Sequence, residues 1–267
     1  MSTATAEIGV IGGSGFYEFL DHPTDVVRST PYRPPSAPVT VGDVGGRPVA
    51  FLPRHGRDHQ YPPHRVNYRA NLWMLRQLGV RRIFGPCAVG SLRPEVEPGH
   101  LIVLDQLVDR TWGRSDTYAD GPEVNHVGFA DPYCPQMAEV LQQRAGEVAG
   151  LRLHGQGTVV VIQGPRFSTR AESAWYRSAG FDVINMTQYP EAYLARELGM
   201  CYSGVGLVTD YDTGLEGVDG IQPVTMDAVF AVLADNVERT RQLLFAAIPA
   251  LPEQASCRCQ ETIGSKA

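Results

Sequence analysis

Several things are scarce in this chain, and each scarcity removes a class of protein. Lysine is nearly absent, no run of basic residues occurs among the 23 Lys and Arg, and 29 Asp and Glu leave a net charge of −6. A nucleic-acid backbone is bound by a stripe of cations that releases its counterions, so no nucleic-acid partner is expected, although a small anion can still be held locally. No stretch approaches the roughly 20 apolar residues that span a bilayer, and residues 1–7 lack the charged and apolar segments of a signal sequence. No membrane association is expected, and the cytoplasm is the expected compartment. Five cysteines, Cys87, Cys134, Cys201, Cys257 and Cys259, leave an odd thiol and are too few for a disulfide scaffold, so reduced, buried thiols are the expectation. Cys257-Arg258-Cys259 stands apart, because a C-x-C near a polar tail could be a redox pair or half of a metal site. No second Cys/His pair at metal spacing completes it, so no metal is expected there.

What is present is ordinary for a globular protein: 267 residues, 43% hydrophobic and 19% charged. The length suits one large α/β domain or two small ones, and the lack of any repeat or low-complexity linker favours one. The expected division is a flexible segment 1–7, a domain over 8–251 and a disordered tail over 252–267. Apolar, β-branched runs at 8–11, 83–84, 101–108, 159–162, 181–186 and 205–208 predict buried strands, the third interrupted at Asp105. Residues 31–53 read as an antiparallel hairpin. Helices are predicted over 66–78, 136–149, 193–198 and 226–245, with another starting at 170–176. The strand near 83 is expected to open into a small-residue loop by Ser91. Residues 111–129 form a long polar loop, of the kind that serves as a lid or a subunit contact.

The chemistry gathers where strands end. The densest stretch is 158–192, in which a β-branched strand breaks at Gly164-Pro165 and presents Arg166, Phe167, Ser168 and Thr169, and a second strand runs into Asn185-Met186-Thr187. Polar groups at the C-terminal ends of buried strands are where an open α/β sheet builds a ligand site. Gly12-Gly13-Ser14-Gly15 follows the first strand but has neither the dinucleotide G-x-G-x-x-G spacing nor a P-loop lysine. Together with Arg54-His55 and Thr187 it suits an oxyanion, offering backbone amides, a guanidinium, an imidazole and hydroxyls. Asp210 and Asp212, two apart, share a face if the segment stays extended. They suit proton transfer, since mutual repulsion lets one carboxyl hold a proton near neutral pH. Hard-metal ligation, or a cap and a turn residue, are the other readings of this pair.

Taken together, Gly12-Gly13-Ser14-Gly15, Arg54-His55-Gly56, Gly90-Ser91-Leu92, Gly164-Pro165-Arg166-Phe167, Asn185-Met186-Thr187 with Pro190-Glu191, and Thr209-Asp210-Tyr211-Asp212 resemble the trimeric purine nucleoside phosphorylase family, in its S-methyl-5'-thioadenosine phosphorylase branch. The resemblance runs from about residue 8 to 251. It implies an α/β fold of one domain with a mixed central, partly barrel-like sheet flanked by helices. It also implies a homotrimer, or a dimer of trimers, with sites near the subunit interfaces. The implied reaction is phosphorolysis of a purine nucleoside with inorganic phosphate as co-substrate and no cofactor. By position, Ser14, Arg54, His55, Cys87, Ala88 and Thr187 hold phosphate. Met186 lies along the ribose, Phe167 and Ser168 against the base, and Asp210 and Asp212 at its N7 and 6-amino edge, with His59 also on the substrate. Asp210, Asp212 and Ser168 carry the catalytic roles.

An aspartate accepts from an exocyclic amine but meets a 6-oxo group acceptor to acceptor, and the 6-oxo branch carries asparagine there, so Asp210 favours adenine. Two positions depart from the family. Cys87 stands where threonine is usual, replacing a hydroxyl donor by a weaker thiol. Met226, Val229 and Phe230 align with the lining of the 5' pocket, and Met226 and Phe230 are bulkier than the valine and leucine typical there. Apolar residues leave a buried 5'-hydroxyl unsatisfied at a cost of about 1–3 kcal/mol, so adenosine is expected to be poor and small 5' groups such as hydrogen or halogen become candidates beside methylthio. The competing readings are a 6-oxopurine nucleoside phosphorylase, a hydrolase using water, and a nucleoside-binding protein without activity.

Overall fold

One strand organises the sheet. The computed structural model of the chain describes residues 5–122, 125–215 and 226–260, with side chains in the last helix from 232 onward. Strand β5 (Arg82–Ser91) pairs with β1 (Ile8–Gly12) along its first half and with β10 (Val183–Asn185) along its second, while β11 (Cys201–Tyr211) runs parallel to it for its whole length. Beyond β1 lie β4 (Arg47–Pro53), β3 (Val39–Val44) and β2 (Thr24–Val26), and beyond β10 lie β9 (Thr158–Ile162) and β7 (Gln106–Arg110). A side branch leads from β11 to β6 (Leu101–Val103) and β8 (Leu153–His154). The pairing is mixed and forks at β5, in agreement with the mixed central sheet that the resemblance implies.

Helices α1 (Tyr68–Gln77), α2 (Pro135–Arg144), α3 (Arg170–Ser178), α4 (Gln188–Glu197) and α5 (Met226–Ala250) complete the fold. Local chemistry fixes their starts. Asn67 accepts from the Ala70 amide at α1, and Thr169 with Glu172 forms a capping box at α3, each satisfying amides that the first turn leaves free. Two large apolar clusters form most of the core, with a smaller third around Val160, Ile162, Tyr176 and Ile184. Of the two large ones, one gathers Leu72, Met74, Leu75 and Val159 under α1 and α4, and the other Phe16, Phe51, Leu141, Leu244 and Ile248 under α2 and α5.

Several expectations need correction. The run 101–108 is two strands with different partners, antiparallel to β11 and parallel to β9, so Asp105 is a true break. Residues 85–90 are not a loop: they continue β5, because strands on both edges satisfy their backbone and small side chains let neighbours approach. The described part of loop 111–129 is no free lid, since Glu197 accepts from Thr117 Oγ1 (2.6 Å) and the Tyr118 amide (2.9 Å), and Tyr189 donates to Asp116 (2.7 Å). Residues 251–260 are docked rather than disordered, with Arg47 and Arg82 donating to the carbonyls of Leu251, Pro252 and Glu253. Among the described residues no helix is long and apolar enough to cross a membrane.

Candidate active site

The Gly12-Gly13 turn ends β1 directly over Arg54, the residue that follows β4. The Arg54 amide donates to Gly12 O (2.8 Å), and a Cβ at Gly13 would fall 2.9 Å from Arg54 Nη1 and 3.3 Å from Cys87 Cα. Only glycine allows this approach, and it joins the first strand end to β5. Arg54 is fully buried and makes a bidentate pair with Glu191 of α4 at 2.7 and 2.6 Å, while its remaining bonds go to Pro86 O (3.0 Å) and Ile11 O (3.2 Å). Burial alone would lower its pKa, but the Glu191 carboxylate beside it more than offsets that and the pKa rises above its ordinary value. Tyr202 donates to the same carboxylate (2.6 Å).

Gln188 extends this buried network by donating to Gly85 O (3.2 Å) and to Cys87 Sγ (3.2 Å). The Cys87 thiol therefore faces Gln188, and burial pushes its pKa up to about 12. Ala88, the next residue, is partly open. Asn185 ties it to Thr187: Asn185 Nδ2 donates to Ala88 O (3.1 Å) and Asn185 Oδ1 accepts from the amides of Thr187 (2.6 Å) and Gln188 (2.8 Å). That leaves the Thr187 side chain outside the α4 cap. His55 is buried, and since a carbonyl only accepts, its Nδ1 donates to Tyr61 O (2.8 Å). Burial first, then the Arg54 charge, lowers its pKa to about 4, so the ring is neutral near pH 7 and Nε2 is an acceptor. It stacks on His59 at 4.5 Å, and Tyr17 OH lies 2.8 Å from His59 Nδ1. Ser14 is half-buried in the turn above.

The second end of the site is built around a β-bulge. The register of β11 on β5 shifts between Val208 and Asp210, leaving Thr209 as the extra residue and setting Asp210 opposite Gly90. A Cβ at Gly90 would lie 3.1 Å from Asp210 Oδ1 and 3.5 Å from Asp212 Cβ, so both aspartates close over this glycine. Burial pushes the Asp210 carboxyl up to about 6 from its usual 3.8. The Thr209 hydroxyl, donating at 2.7 Å, opposes that rise, and Asp212 adds to it. Ser168 Oγ lies 3.0 Å from both oxygens of Asp212, and Ser173 of α3 donates to Asp212 Oδ2 as well.

The structure thus sets Arg54, His55, Thr187, Asp210, Asp212 and Ser168 at or beside strand ends around β5, with Cys87 and Ala88 inside that strand. It does so less for Phe167, which is 67% exposed beside the Arg166–Glu172 ion pair. Met186 packs against Gly164, with its Sδ 2.6 Å from where a Cβ would stand. The side chains of Met226, Val229 and Phe230 lie outside the described residues. Four contributors were not assigned from sequence: Glu191, Gln188, Ser173 and Arg114. Arg114, from the long loop, donates to Met186 O (3.0 Å), Gln163 O (2.8 Å) and Tyr189 O (2.5 Å), clamping the ends of β9 and β10. Glu191 was visible only as part of a motif, and nothing local marked the others.

Comparison with known proteins agrees with this geometry. Residues 7–249 match the family described as the phosphorylase superfamily. An S-methyl-5'-thioadenosine phosphorylase of Mycobacterium tuberculosis is 55% identical, covering 96% of this chain and 94% of that protein. A purine nucleoside phosphorylase of Streptomyces coelicolor is 53% identical over 97% of this chain and 95% of that one. Among solved structures, a methylthioadenosine phosphorylase from an antarctic soil metagenomic library superposes with a TM-score of 0.90 at 39% identity, covering 97% of this chain and 91% of that one. The Schistosoma mansoni methylthioadenosine phosphorylase in complex with tubercidin gives 0.84 at 34% identity, covering 96% and 95%. With its strand ends, its buried Arg54–Glu191 pair and this extent of similarity, the chain belongs to the phosphorylase superfamily.

Proposed function

We propose that the chain cleaves the N-glycosidic bond of a 5'-modified 5'-deoxyadenosine with inorganic phosphate, S-methyl-5'-thioadenosine being the leading substrate, to give adenine and the 5-modified ribose 1-phosphate. A phosphate oxygen bonds to C1' as the C1'–N9 bond breaks, and the bonding pair leaves with the purine. Positive charge develops on the sugar and negative charge on the base, so groups that meet these charges only in the transition state accelerate the step. Asp210 carries the reading: burial pushes its carboxyl up to about 6, so a fraction of molecules still carries a proton there near neutral pH, and it can deliver that proton to N7 as the purine departs. Asp212, fixed by Ser168 and Ser173, accepts from the 6-amino group beside it.

The other end is suited to phosphate in an unusual way. Two residues assigned to phosphate from the sequence are revised in this reading: Arg54 is engaged by Glu191 and two carbonyls, and the Cys87 thiol faces Gln188, so with His55 neutral the cradle of Ser14, His55, Ala88 and Thr187 works through dipoles and hydrogen bonds. His55 Nε2 accepts the hydrogen of monohydrogen phosphate. The dianion's charge then remains available to the developing cation on the sugar. No metal or other cofactor enters this reading. A 6-oxopurine preference is the second reading, and the two carboxyls of Asp210 and Asp212 at the N7 and 6-amino edge are the features opposed to it, since an acceptor there meets a 6-oxo group acceptor to acceptor. A cytoplasmic homotrimer, with Phe167 at the mouth of the site near a subunit boundary, completes the proposal. Light scattering tests the trimer.

The test of the reaction is adenine release from methylthioadenosine with and without phosphate. Release that depends on phosphate is expected. Equal release without phosphate contradicts phosphorolysis in favour of hydrolysis, and no release in either condition contradicts catalysis. Ranking 5'-methylthio, 5'-chloro, 5'-deoxy and 5'-hydroxy adenosines at fixed phosphate then identifies the 5' group.

A further inference from the structure

Four of the five cysteines converge at the far side of the molecule from the aspartates. Cys134 precedes the first turn of α2, Cys201 opens β11, and Cys257 and Cys259 lie in the docked segment after α5. Their Sγ atoms all lie within 4.8 Å of one another, and Cys201 Sγ is 3.3 Å from Cys257 Sγ. Cys134, Cys201 and Cys259 contact one another mutually, and Cys257 also contacts Cys259. Cys134, Cys201 and Cys259 are buried and Cys257 is partly so. The sequence pattern hid this cluster, because its first two members sit 67 residues apart at no motif spacing (201 − 134). The fold joins them through the Cys134 amide, which donates to Tyr202 O at 2.8 Å.

We propose that these four thiols form a site for one thiophilic divalent cation of the zinc class, which fastens the C-terminal segment to α2 and β11. Tetrahedral thiolate coordination at about 2.3 Å from the metal sets sulfur atoms about 3.8 Å apart, and the cluster already lies in that range. Two disulfides would separate four sulfurs into two exclusive pairs, whereas here each sulfur meets at least two others. The C-x-C pair lies in a turn, which lets residues two apart aim at one point. Arg196, buried nearby and donating to Asp131 O, acts electrostatically on Cys259 and offsets part of the negative charge that four thiolates and a divalent cation carry. The surroundings hold the segment in register: Gln136 Nε2 donates to Ser256 Oγ (2.7 Å), and Arg82 to Glu253 O (2.8 Å). The site lies at the opposite end of β11 from Asp210, nine residues or roughly 30 Å along the strand, so its role is to hold structure and not to react.

The test is a cobalt titration of the full-length protein, purified and kept reduced under anaerobic conditions. The expected result is a thiolate-to-cobalt charge-transfer band with the visible bands of a tetrahedral ion. Both should saturate at one cobalt per chain and be abolished by one equivalent of zinc. A Cys257→Ser/Cys259→Ser variant should lose the bands, and its circular dichroism should stay that of a folded chain because both changes lie in the terminal segment. Zinc should raise the melting temperature of the wild type and leave that of the variant unmoved. Absence of the charge-transfer band in the reduced wild type overturns the proposal, as does the same spectrum in the variant. Two disulfides that persist in the folded protein under reductant overturn it too.

Discussion

Arg54 and Asp210 stand at the two ends of one site, and their surroundings differ in kind. Arg54 is wholly buried, paired face to face with Glu191 and bonded to two carbonyls, while Glu191 also accepts from Tyr202, whose hydroxyl accepts in turn from Gln188. Asp210 has one neutral donor, Thr209, and a second carboxyl for company. The first end is satisfied before any ligand arrives, which fixes geometry and removes net charge. The second is left wanting a partner, which raises its affinity for a proton. A site that must stabilise opposite charges on the two sides of a breaking bond is served by this asymmetry. It also locates the two kinds of failure: mutations at the first end should cost stability and phosphate binding, and mutations at the second should cost turnover.

The largest expected effect is at Asp210. Asp210→Asn removes the transferable proton, and adenine release from methylthioadenosine should fall by about 10²–10⁴-fold in kcat, with some gain on 6-oxopurine nucleosides. The same variant should be more stable than the wild type above pH 6. Between the unfolded value of 3.8 and the folded value near 6, the folded chain holds this proton and the unfolded chain does not, so stability falls as pH rises through that window. The loss is on the order of 3 kcal/mol, and urea melts at pH 5 and pH 8 for both proteins measure how much of it the variant recovers. Glu191→Gln should invert the pattern. It strands the buried Arg54 charge, with a destabilisation of about 3–5 kcal/mol and a raised KM for phosphate. Ser173→Ala leaves Asp212 held by Ser168 alone. A loss of about tenfold in kcat is expected, together with a destabilisation of about 1–2 kcal/mol from the lost buried hydrogen bond to the carboxylate. Smallest is Cys87→Ala: because the thiol faces Gln188, the KM for phosphate should move by less than about threefold, or under about 0.7 kcal/mol. A larger shift would make the thiol a ligand of phosphate and undo the division between the ends.

How much of this was readable in the sequence follows from how far apart the interacting residues are. Gly12 to Gly15, Arg54-His55, Asn185 to Thr187 and Asp210 with Asp212 each sit in one local run at the end of an apolar strand, so pattern and residue type sufficed. The structure changes the reason assigned to Asp210: burial is the main cause of its raised pKa, and repulsion from Asp212 comes after it. The partners that make the anion end work were not legible, because Glu191 reaches Arg54 across 137 residues and Gln188 reaches Cys87 across 101. Their pairing is a product of strand order. The bulge at Thr209 is likewise a fact of register, invisible in a single strand's pattern. The four-cysteine cluster and the docked terminal segment escaped for the same reason, since spacing rules for metal sites assume that ligands come in local pairs.

The central claim, that Asp210 carries the proton delivered to the departing purine, is tested most directly by a pH profile taken as a ratio. Phosphate and substrate ionise alike for both proteins, so the ratio of kcat/KM for methylthioadenosine, wild type over Asp210→Asn, isolates the one carboxyl. The ratio is predicted to be largest below about pH 6 and to fall roughly tenfold per pH unit above it, as the carboxyl loses its proton. A ratio that stays constant between about pH 5.5 and 8 would contradict the account.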